Sequence, residues 1–600
     1  MFVREFPAGT GLAVLGVEQV ELDRLGGDLA TFVSSDEFDE QFRVVLVDRD
    51  RTHLFHRDLF HRGPLTTRIN TYGVSVVNYV RERGEMTDPV QPADGRSRPI
   101  LIRLSPVIRS MAVSRPNVLL VHCHDLGRHL GCYGADLETP AVDSLAADGA
   151  LFENHFVTAP QCSPSRASLM TGRHPHVNGL MGLAHGAWEL HEDERILPHY
   201  LGEAGYETHL FGLQHVTQDT DRLRYDYVHS EGNLYPGVSP EVHQVNRAGT
   251  VSRVVSSFLK REAFEKPFFA SIGFFECHRV KGETGRYGFD PDYYEPDDPD
   301  EVRPLPYLPD RRGHRVDLAE MHGMVYAIDD AVGKILDALE ATGLDEETLI
   351  VFTTEHGLAF PRAKGSCYDA GLEAALLFRG PGIEPGKRYD ELLSNVDVLP
   401  TLLDLVDIGE QDDVEGLDDS ESSDDGDNST DSSESSDDGD NSTDSSESIG
   451  VPDDLDGRSF APLLAGDEYE PRERIFAGMT WHDMYNPVRA IRTKRYKYIR
   501  NFWELPKVYL TTDIFASEAG REVRERFAVP PRPYEELYDL RAAPQEDDNI
   551  VFEPRYQDKR LELAERLHDW MVETDDPLLD GPVPPGNNDE IQAWPHESKP

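Results

Sequence analysis

Four short apolar runs, separated by longer stretches with helical spacing, constrain the fold of this chain more than any other feature. Each run has the length and composition of a buried strand: Val118–Val121, His209–Phe211, Phe268–Phe274 and Leu349–Thr353. Strands that alternate with helices are typical of a mostly parallel sheet covered by helices. The sequence therefore predicts an α/β core, which we place at residues 113–409.

Two further stretches carry regular patterns. Apolar residues recur at helical spacing from Met321 to Leu339, and Gly343 follows as a stop signal. Near the C-terminus, residues 489–499 alternate as strands do, and Tyr534–Leu540 precedes a helix that includes Leu561, Leu563 and Leu567. We therefore expect residues 449–600 to contain the end of the core and a smaller C-terminal α+β subdomain.

Each of the four apolar runs is followed at once by acid–base or metal-binding side chains. These groups are His122–Asp125, Gln214–His215, Glu276–His278 and Glu355–His356. Any one of them alone would be an ordinary surface turn or a buried histidine. Because the carboxyl ends of parallel strands meet at one edge of a sheet, four together favour a functional site there.

The segment from Cys162 to Gly172 is the strongest local signal. Ser163 suits a helix cap, Pro164 a first helical turn and Gly172 a C-terminal stop, so Cys162 is predicted to lie at a helix N-terminus. The free N–H groups there favour an anion, and the Arg166 guanidinium can hold an oxyanion. A buried cysteine on an ordinary helix is an equally good interpretation of these features alone.

The negative charge of the chain disfavours nucleic acid as a partner and indicates a saline environment. There are 59 Lys and Arg against 111 Asp and Glu, which gives a formal net charge of -52 and disfavours binding to a nucleic-acid backbone. Lysine contributes only 11 of the basic residues. An acidic, lysine-poor composition of this kind is what we expect in a salt-adapted organism.

Two segments show no chemical motif. Residues 1–112 form an N-terminal extension that is either a small accessory domain or a sequence upstream of the true start. Residues 410–448 form an acidic insert with 17 Asp and Glu and no Lys or Arg, in which Ser420–Ser432 is repeated identically as Ser433–Ser445. This composition predicts a disordered linker.

The cysteines and the N-terminus predict a cytoplasmic location. Five scattered cysteines do not form the pattern of a disulfide scaffold or a zinc ribbon, which argues for a reducing compartment. Neither an export signal nor a membrane-spanning run is recognisable, so no membrane partner is expected. Four cysteines are interpreted as small buried apolar residues: Cys123, Cys132, Cys277 and Cys367.

The run Cys162-Ser163-Pro164-Ser165-Arg166 resembles the signature of the formylglycine-dependent sulfatase family, especially its heparan N-sulfatase (sulfamidase)-like members. The similarity extends over about residues 115–575 and includes several ordered segments: Arg115–Leu120, Thr171–Gly179, Lys266–Phe269, Thr353–Gly357 and Glu536–Leu540. The resemblance implies an alkaline-phosphatase-like α/β/α sandwich with a smaller C-terminal α+β subdomain.

The resemblance also implies how the chemistry proceeds. Cys162 would be converted to formylglycine by a formylglycine-generating enzyme, and the hydrated aldehyde would attack sulfur beside a divalent metal. The second hydroxyl would then expel sulfate. The expected activity is hydrolysis of a sulfate ester or sulfamate, with a sulfated small molecule or sugar as substrate.

The metal positions of the family fall on His124, Asp125, Cys162, Glu355 and His356. The family metal is usually calcium, but His124 and His356 stand where the family has oxygen donors. Imidazole nitrogen shifts the preference toward manganese, zinc or a similar ion. The predicted metal is therefore a divalent cation, either Ca²⁺ or a transition metal.

Other roles follow from the resemblance position by position. His215 matches the histidine that serves the formylglycine hydroxyl during elimination, and Leu213 replaces its usual lysine companion. His278 matches the proton donor at the leaving group, and Lys364 matches a sulfate-binding cation. Arg166 would orient the hydrated aldehyde. His482 is predicted, on weaker grounds, to contact substrate.

Two alternatives remain open from the sequence. A phosphodiesterase or phosphonate monoester hydrolase of the same superfamily uses the same modified cysteine with a transition metal, which the two histidines at the metal site favour. A noncatalytic anion-binding protein derived from the enzyme would explain Leu213. The complete motif from Cys162 to Arg166 argues against that second alternative.

Overall fold

A computed structural model describes residues 115–586, except for residues 187, 230–239, 262–263, 408–449 and 529–530. These residues fall within Val113–Pro600, the second of the two units into which the chain divides. The predicted N-terminal extension (1–112) and acidic insert (410–448) lie outside the described residues. None of the helices described in this range is long and apolar enough to cross a membrane.

The described strands form three sheets. The strands of the first two sheets are β1 (Asn117–Cys123), β2 (Ala150–Phe156), β3 (Glu207–Gly212), β4 (Tyr227–Val228), β5 (Phe268–Gly273), β6 (Val280–Lys281), β7 (Tyr287–Gly288), β8 (Thr348–Thr354), β9 (Leu376–Arg379) and β10 (Lys387–Ser394). The strands of the third sheet are β11 (Arg474–Trp481), β12 (Tyr485–Thr493), β13 (Tyr496–Asn501) and β14 (Glu535–Asp539).

The described helices connect and cover these strands. They are α1 (Pro140–Ala147), α2 (Cys162–Thr171), α3 (Pro175–Asn178), α4 (Leu197–Glu203), α5 (Ala248–Leu259), α6 (Arg312–Thr342), α7 (Asp369–Leu372), α8 (Val398–Asp407), α9 (Ala461–Ala465), α10 (Thr512–Phe515), α11 (Glu518–Ala528) and α12 (Gln557–Glu573). The helix predicted from Met321 to Leu339 lies within α6, and Gly343 ends it at a φ of 72° as the sequence indicated.

The main sheet has the strand order β10-β2-β9-β8-β1-β5-β3-β4. All neighbouring strands are parallel except at β9, which is antiparallel to both β2 and β8. The four strands predicted from the sequence are β1, β3, β5 and β8, and they are consecutive in the order β8-β1-β5-β3. Their carboxyl ends therefore lie side by side at one edge, where the side chains that follow each strand can meet.

Both faces of the main sheet are buried under helices. Alternate residues of β1 enter different clusters because successive side chains point to opposite faces. Leu119 and Val121 share one cluster with residues of α5 and α6, whereas Val118 and Leu120 share another with residues of α2, α4 and α8. The predicted three-layered α/β/α sandwich is confirmed.

The third sheet is antiparallel, with the order β11-β12-β13-β14. One of its faces, which includes Ala490 and Ile499, joins the core of the main sheet. The other face, which includes Ile491 and Tyr498, packs against α12. The predicted helix through Leu561, Leu563 and Leu567 is α12, on which Leu563 and Leu567 are buried and Leu561 is exposed. The sheet is thus fixed to the main domain on one side and covered by a helix on the other.

Candidate active site

Two site residues follow strands of the main sheet at points where the backbone changes direction sharply. Asp125 follows β1 with a φ of 43°, and His215 follows β3 with a φ of 57°. Residues other than glycine adopt this left-handed region at an energetic cost, and such residues cluster at functional sites. Both side chains are buried.

Cys162 is the first residue of α2, and all ten residues of this helix are buried. The predicted stop at Gly172 is confirmed, with a φ of 69°. The predicted cap is wrong, because Gln161 occupies the cap position without a side-chain hydrogen bond. Ser163 lies inside the helix, and its hydroxyl oxygen accepts a hydrogen bond of 3.0 Å from the Ala184 N–H.

The predicted metal ligands lie together beside this helix N-terminus. One candidate ligand atom from each of His124, Asp125, Cys162 and Glu355 lies within 4.8 Å of the others. His356 is adjacent, since its Nε2 is 3.2 Å from Asp125 Oδ1, 3.3 Å from Glu355 Oε1 and 3.5 Å from Cys162 Sγ. Side chains separated by more than 200 positions in the sequence therefore meet at one point.

Two features of this cluster fit a bound cation. His124 Nε2 is buried without a hydrogen-bond partner among the described residues, and a buried polar atom of this kind needs a compensating partner. The other ring nitrogen, Nδ1, is 2.6 Å from Glu355 Oε1. Two imidazoles and two carboxylates form a mixed nitrogen and oxygen donor set, which suits a divalent metal.

Burial and neighbouring charge set the protonation of the cluster. Burial raises the pKa of the Cys162 thiol well above its usual range, and the Glu355 carboxylate adds to the effect. Burial also lowers the pKa of His124 to about 3. Burial alone would raise the pKa of Glu355, but His124, Arg166 and His356 hold it well below its usual range. The Glu355 carboxylate is therefore charged and available as a ligand.

Arg166 supports the Glu355 carboxylate from within the same helix as Cys162. Its Nε forms an ion pair with Glu355 Oε2, and its Nη1 is 3.3 Å from His122 Nδ1. The Nη2 group has no hydrogen-bond partner among the described residues, although it is buried. Arg166 thus positions Glu355 and keeps one donor for an anion.

Lys364 is buried between two carboxylates. Its Nζ donates to Asp125 Oδ2 at 2.9 Å and to Asp513 Oδ2 at 3.2 Å. Burial alone would lower the pKa of Lys364, but the Asp125 and Asp513 carboxylates raise it well above its usual range. Lys364 therefore carries a fixed positive charge beside the potential metal ligands.

Two neutral histidines lie next to His124. The rings of His278 and His215 are centred 5.5 Å and 5.8 Å from the His124 ring. Burial lowers the pKa of both, and nearby Lys364 adds to the effect at His278, whereas His185 adds to it at His215. The Arg279 carbonyl oxygen is 2.8 Å from His278 Nδ1 and orients that ring.

The third sheet brings His482 close to these groups. His482 follows β11, and its Nδ1 is 3.1 Å from Asp483 Oδ1. Asp483 also accepts a hydrogen bond of 2.6 Å from the Thr512 N–H, next to Asp513. Burial alone would raise the pKa of Asp513, but Lys364, His278 and His482 lower it. His482 is therefore at the side of the site where Lys364 and His278 lie.

Three residues of this region were missed by sequence reasoning: His185, Asp483 and Asp513. None follows a strand of the main sheet, and none belongs to a recognisable motif. Only the fold brings them to the site. Of the four cysteines interpreted as buried, Cys132 is partly exposed, so that interpretation is wrong for this residue.

The sandwich and the cluster at its strand ends define an enzyme core of the alkaline-phosphatase-like class. Residues 116–408 match the sulfatase family, and the chain carries a sulfatase domain. The resemblance of the segment around Cys162 is thereby confirmed.

Similar proteins agree with this assignment. The human N-sulphoglucosamine sulphohydrolase is 28% identical over 519 residues, which cover 79% of this chain and 94% of that protein. The structure of a 2-O GAG sulfatase matches with a TM-score of 0.55 at 21% identity, over 80% of this chain and 96% of that one. A second structure, in complex with its substrate D-glucosamine-2-N,6-O-disulfate, matches with a TM-score of 0.53 at 18% identity, over 77% of this chain and 99% of that one.

Proposed function

We propose that this chain hydrolyses a sulfate ester or a sulfamate on a sugar, with a formylglycine made from Cys162 as the nucleophile. The observation that carries this proposal is the position of Cys162. It begins a buried helix and lies within 4.8 Å of ligand atoms from three other potential metal ligands. The similar proteins that act on sulfated glucosamine and on GAG chains support a sulfated sugar as the substrate class.

Each of the residues around position 162 would have a separate role in the reaction. Hydrated formylglycine beside a divalent metal would supply a hydroxyl nucleophile at neutral pH. Lys364 and the free donor of Arg166 would hold the sulfate oxygens, where fixed positive charge stabilises the transition state most. Bound sulfate would favour the protonated form of His278, which would donate a proton to the leaving group, and His215 would accept one from a hydroxyl at position 162.

The donor set favours a transition metal over calcium. His124, Asp125, Glu355 and His356 would hold the ion, and two of these four offer imidazole nitrogen. Calcium binds oxygen ligands, whereas manganese and zinc accept nitrogen and oxygen together. We expect Mn²⁺ or Zn²⁺ to raise the thermal midpoint of metal-free protein more than Ca²⁺ does, and Glu355→Gln to abolish the difference.

Mass spectrometry of the peptide containing Cys162, purified from the native host, tests the nucleophile directly. We expect an aldehyde at this position and turnover of an aryl sulfate. Cys162→Ala should abolish turnover and leave the thermal midpoint nearly unchanged, because the side chains have similar size. An unmodified thiol in every copy would reject the formylglycine mechanism.

A phosphodiesterase or phosphonate monoester hydrolase activity is the second candidate, and the two imidazoles among the potential metal ligands favour it. Parallel assays with an aryl sulfate, an aryl phosphonate and an aryl phosphodiester separate the two functions. We expect the sulfate to be turned over fastest. Faster turnover of a phosphorus ester by the same preparation would make this second candidate the main activity.

The cellular context forms part of the same proposal. The buried free thiols Cys123, Cys277 and Cys367 support a reducing compartment, and we place the protein in the cytoplasm. A formylglycine-generating enzyme is its expected partner there. Cell fractionation with an antibody against the chain tests the location, and recovery in an extracellular fraction would contradict it.

A further inference from the structure

The turn that contains His185 is hydrogen-bonded to α2, the helix that begins at Cys162. It lies in a 3-10 turn, Ala184–Gly186, whose first N–H donates to the Ser163 hydroxyl oxygen at 3.0 Å. Ser163 is the second residue of α2. The position of the His185 ring is therefore coupled to the start of this helix.

The rings of His185 and His215 form a parallel pair. Their planes differ by 2°, their centres are 5.2 Å apart, and His185 Nδ1 is 3.0 Å from His215 Nε2. Two imidazole nitrogens at this distance share a single proton. The direction of that hydrogen bond decides which nitrogen of His215 keeps a lone pair.

The other nitrogen of His215 lacks a hydrogen-bond partner in the part of the chain that the structure describes. This nitrogen is Nδ1, and it is buried. Leu213, two positions earlier, is also buried and joins the apolar core, so it offers no polar group. Unlike His215, His185 is partly exposed.

We propose that His185 is a positioning residue that accepts the Nε2 hydrogen of His215 and so leaves Nδ1 as the lone-pair nitrogen of the site. This inference rests on the proposed function, in which His215 accepts a proton from a hydroxyl at position 162. The transferred proton binds to Nδ1, while the Nε2 proton stays in the bond to His185.

Nitrogen NMR of ¹⁵N-histidine-labelled full-length protein tests the hydrogen-bond direction without turnover. His215→Gln identifies the His215 signals by their loss. We expect the Nε2–H tautomer of His215 in the wild type and in His185→Gln, whose amide oxygen can still accept. His185→Leu should show an increased Nδ1–H population. An Nδ1–H tautomer in the wild type, or no change in His185→Leu, would overturn the proposal.

Kinetics with 4-nitrophenyl sulfate provide the second measurement. A general base contributes about 100- to 10,000-fold to rate, so a misoriented base should lower kcat of His185→Leu by roughly 10- to 100-fold. KM should change little, and His185→Gln should recover most of kcat. The matched control is His229→Leu, which breaks another stacked imidazole pair, with His209, and should keep wild-type kinetics.

The possible outcomes separate this inference from the proposed function. An inactive wild type rejects the function, while the NMR result still decides the role of His185. Equal losses in His185→Leu and His185→Gln, at unchanged thermal midpoints, reject the positioning role and leave the function intact. A raised KM with wild-type kcat would likewise reject it, because it would make His185 a simple substrate contact.

Discussion

Lys364 combines burial with a permanent charge. Only 2% of its side chain is exposed, and carboxylates from two distant parts of the chain hold its ammonium group. A buried charge is tolerated only when it is paired and hydrogen-bonded. Asp513 is therefore as much a part of this site as the lysine that it pairs with, although it follows Lys364 by 149 positions.

Asp513→Asn should weaken the interaction that keeps the Lys364 ammonium group in place. The neutral amide loses one charged hydrogen bond, which costs about 1–3 kcal/mol in the free energy of unfolding, and the less constrained ammonium should lower kcat for an aryl sulfate. Urea unfolding and steady-state kinetics measure both effects. Asp310→Asn, which removes the exposed ion pair with Arg315, is the control and should leave stability nearly unchanged.

The buried side chain of His155 should make the stability of the protein depend on pH. Its side chain is fully buried at β2, with Nδ1 3.2 Å from the Ala374 carbonyl oxygen, and burial lowers its pKa to about 4. An unfolded histidine has a pKa of about 6.5, so between these values the unfolded chain binds a proton that the folded chain does not. Stability should therefore fall as the pH is lowered from 6.5 toward 4.

Urea unfolding at several pH values between 7.5 and 5 measures this effect. His155 should contribute a loss of at most about 1.4 kcal/mol per pH unit. The slope should be smaller in His155→Gln, which cannot take up that proton, and unchanged in His568→Gln, because His568 is exposed on α12. Equal slopes in the wild type and His155→Gln would contradict the assignment.

At the scale of elements, the length of α2 is fixed by its terminal glycine. Gly172 has a φ of 69°, a conformation that costs an L-residue roughly 1 kcal/mol or more. The helix must end there for the chain to continue to α3. The position of Cys162 at the opposite end depends on the same ten-residue element.

Gly172→Ala should lower the free energy of unfolding by about 1 kcal/mol. A Cβ at this position would meet Leu455 only at ordinary contact distance, 3.4 Å, so the backbone conformation is the cause. Gly249→Ala is the matched control, because that glycine lies inside α5 with open space around its Cβ position. It should stabilise the protein by about 0.5–1 kcal/mol. Equal effects of the two changes on thermal or urea unfolding would reject the argument.

The sequence predicted the elements whose pattern is local. The strands β1, β3, β5 and β8 and the helix α6 follow from apolar periodicity, and Asp125, Cys162, Glu355 and His356 follow from motifs at strand or helix ends. Asp513 and His185 could not be found in this way. Asp513 lies on α10, in the connection between β13 and β14, and His185 lies in a short turn, so neither has a periodic or motif signal.

At the scale of the whole molecule, the acidic composition should make stability depend on salt. A formal charge of -52 implies strong self-repulsion in the folded state, and salt screens it. We propose that the protein is adapted to high salt. Its thermal midpoint should rise by at least about 5 °C between 0.1 and 2 M KCl, which for a chain of this length corresponds to a gain of roughly 5–6 kcal/mol.

Differential scanning calorimetry provides the measurement, and sucrose at matched osmolality is the control for nonspecific exclusion from the surface. Screening requires ions, so sucrose should raise the midpoint less than KCl does. A midpoint that is unchanged or lowered by KCl would contradict salt adaptation.

The burial of Cys162 imposes an order of events during synthesis. The side chain is 2% exposed, so an enzyme that oxidises it must reach the segment before α2 packs into the core. Asp513, which completes the pairing of Lys364, is translated about 350 positions later. At translation rates of about 5–20 residues per second, this leaves an interval of roughly 20–70 s. If Cys162 becomes formylglycine as proposed, maturation would be a kinetic competition between a modifying enzyme and the folding of the nascent chain.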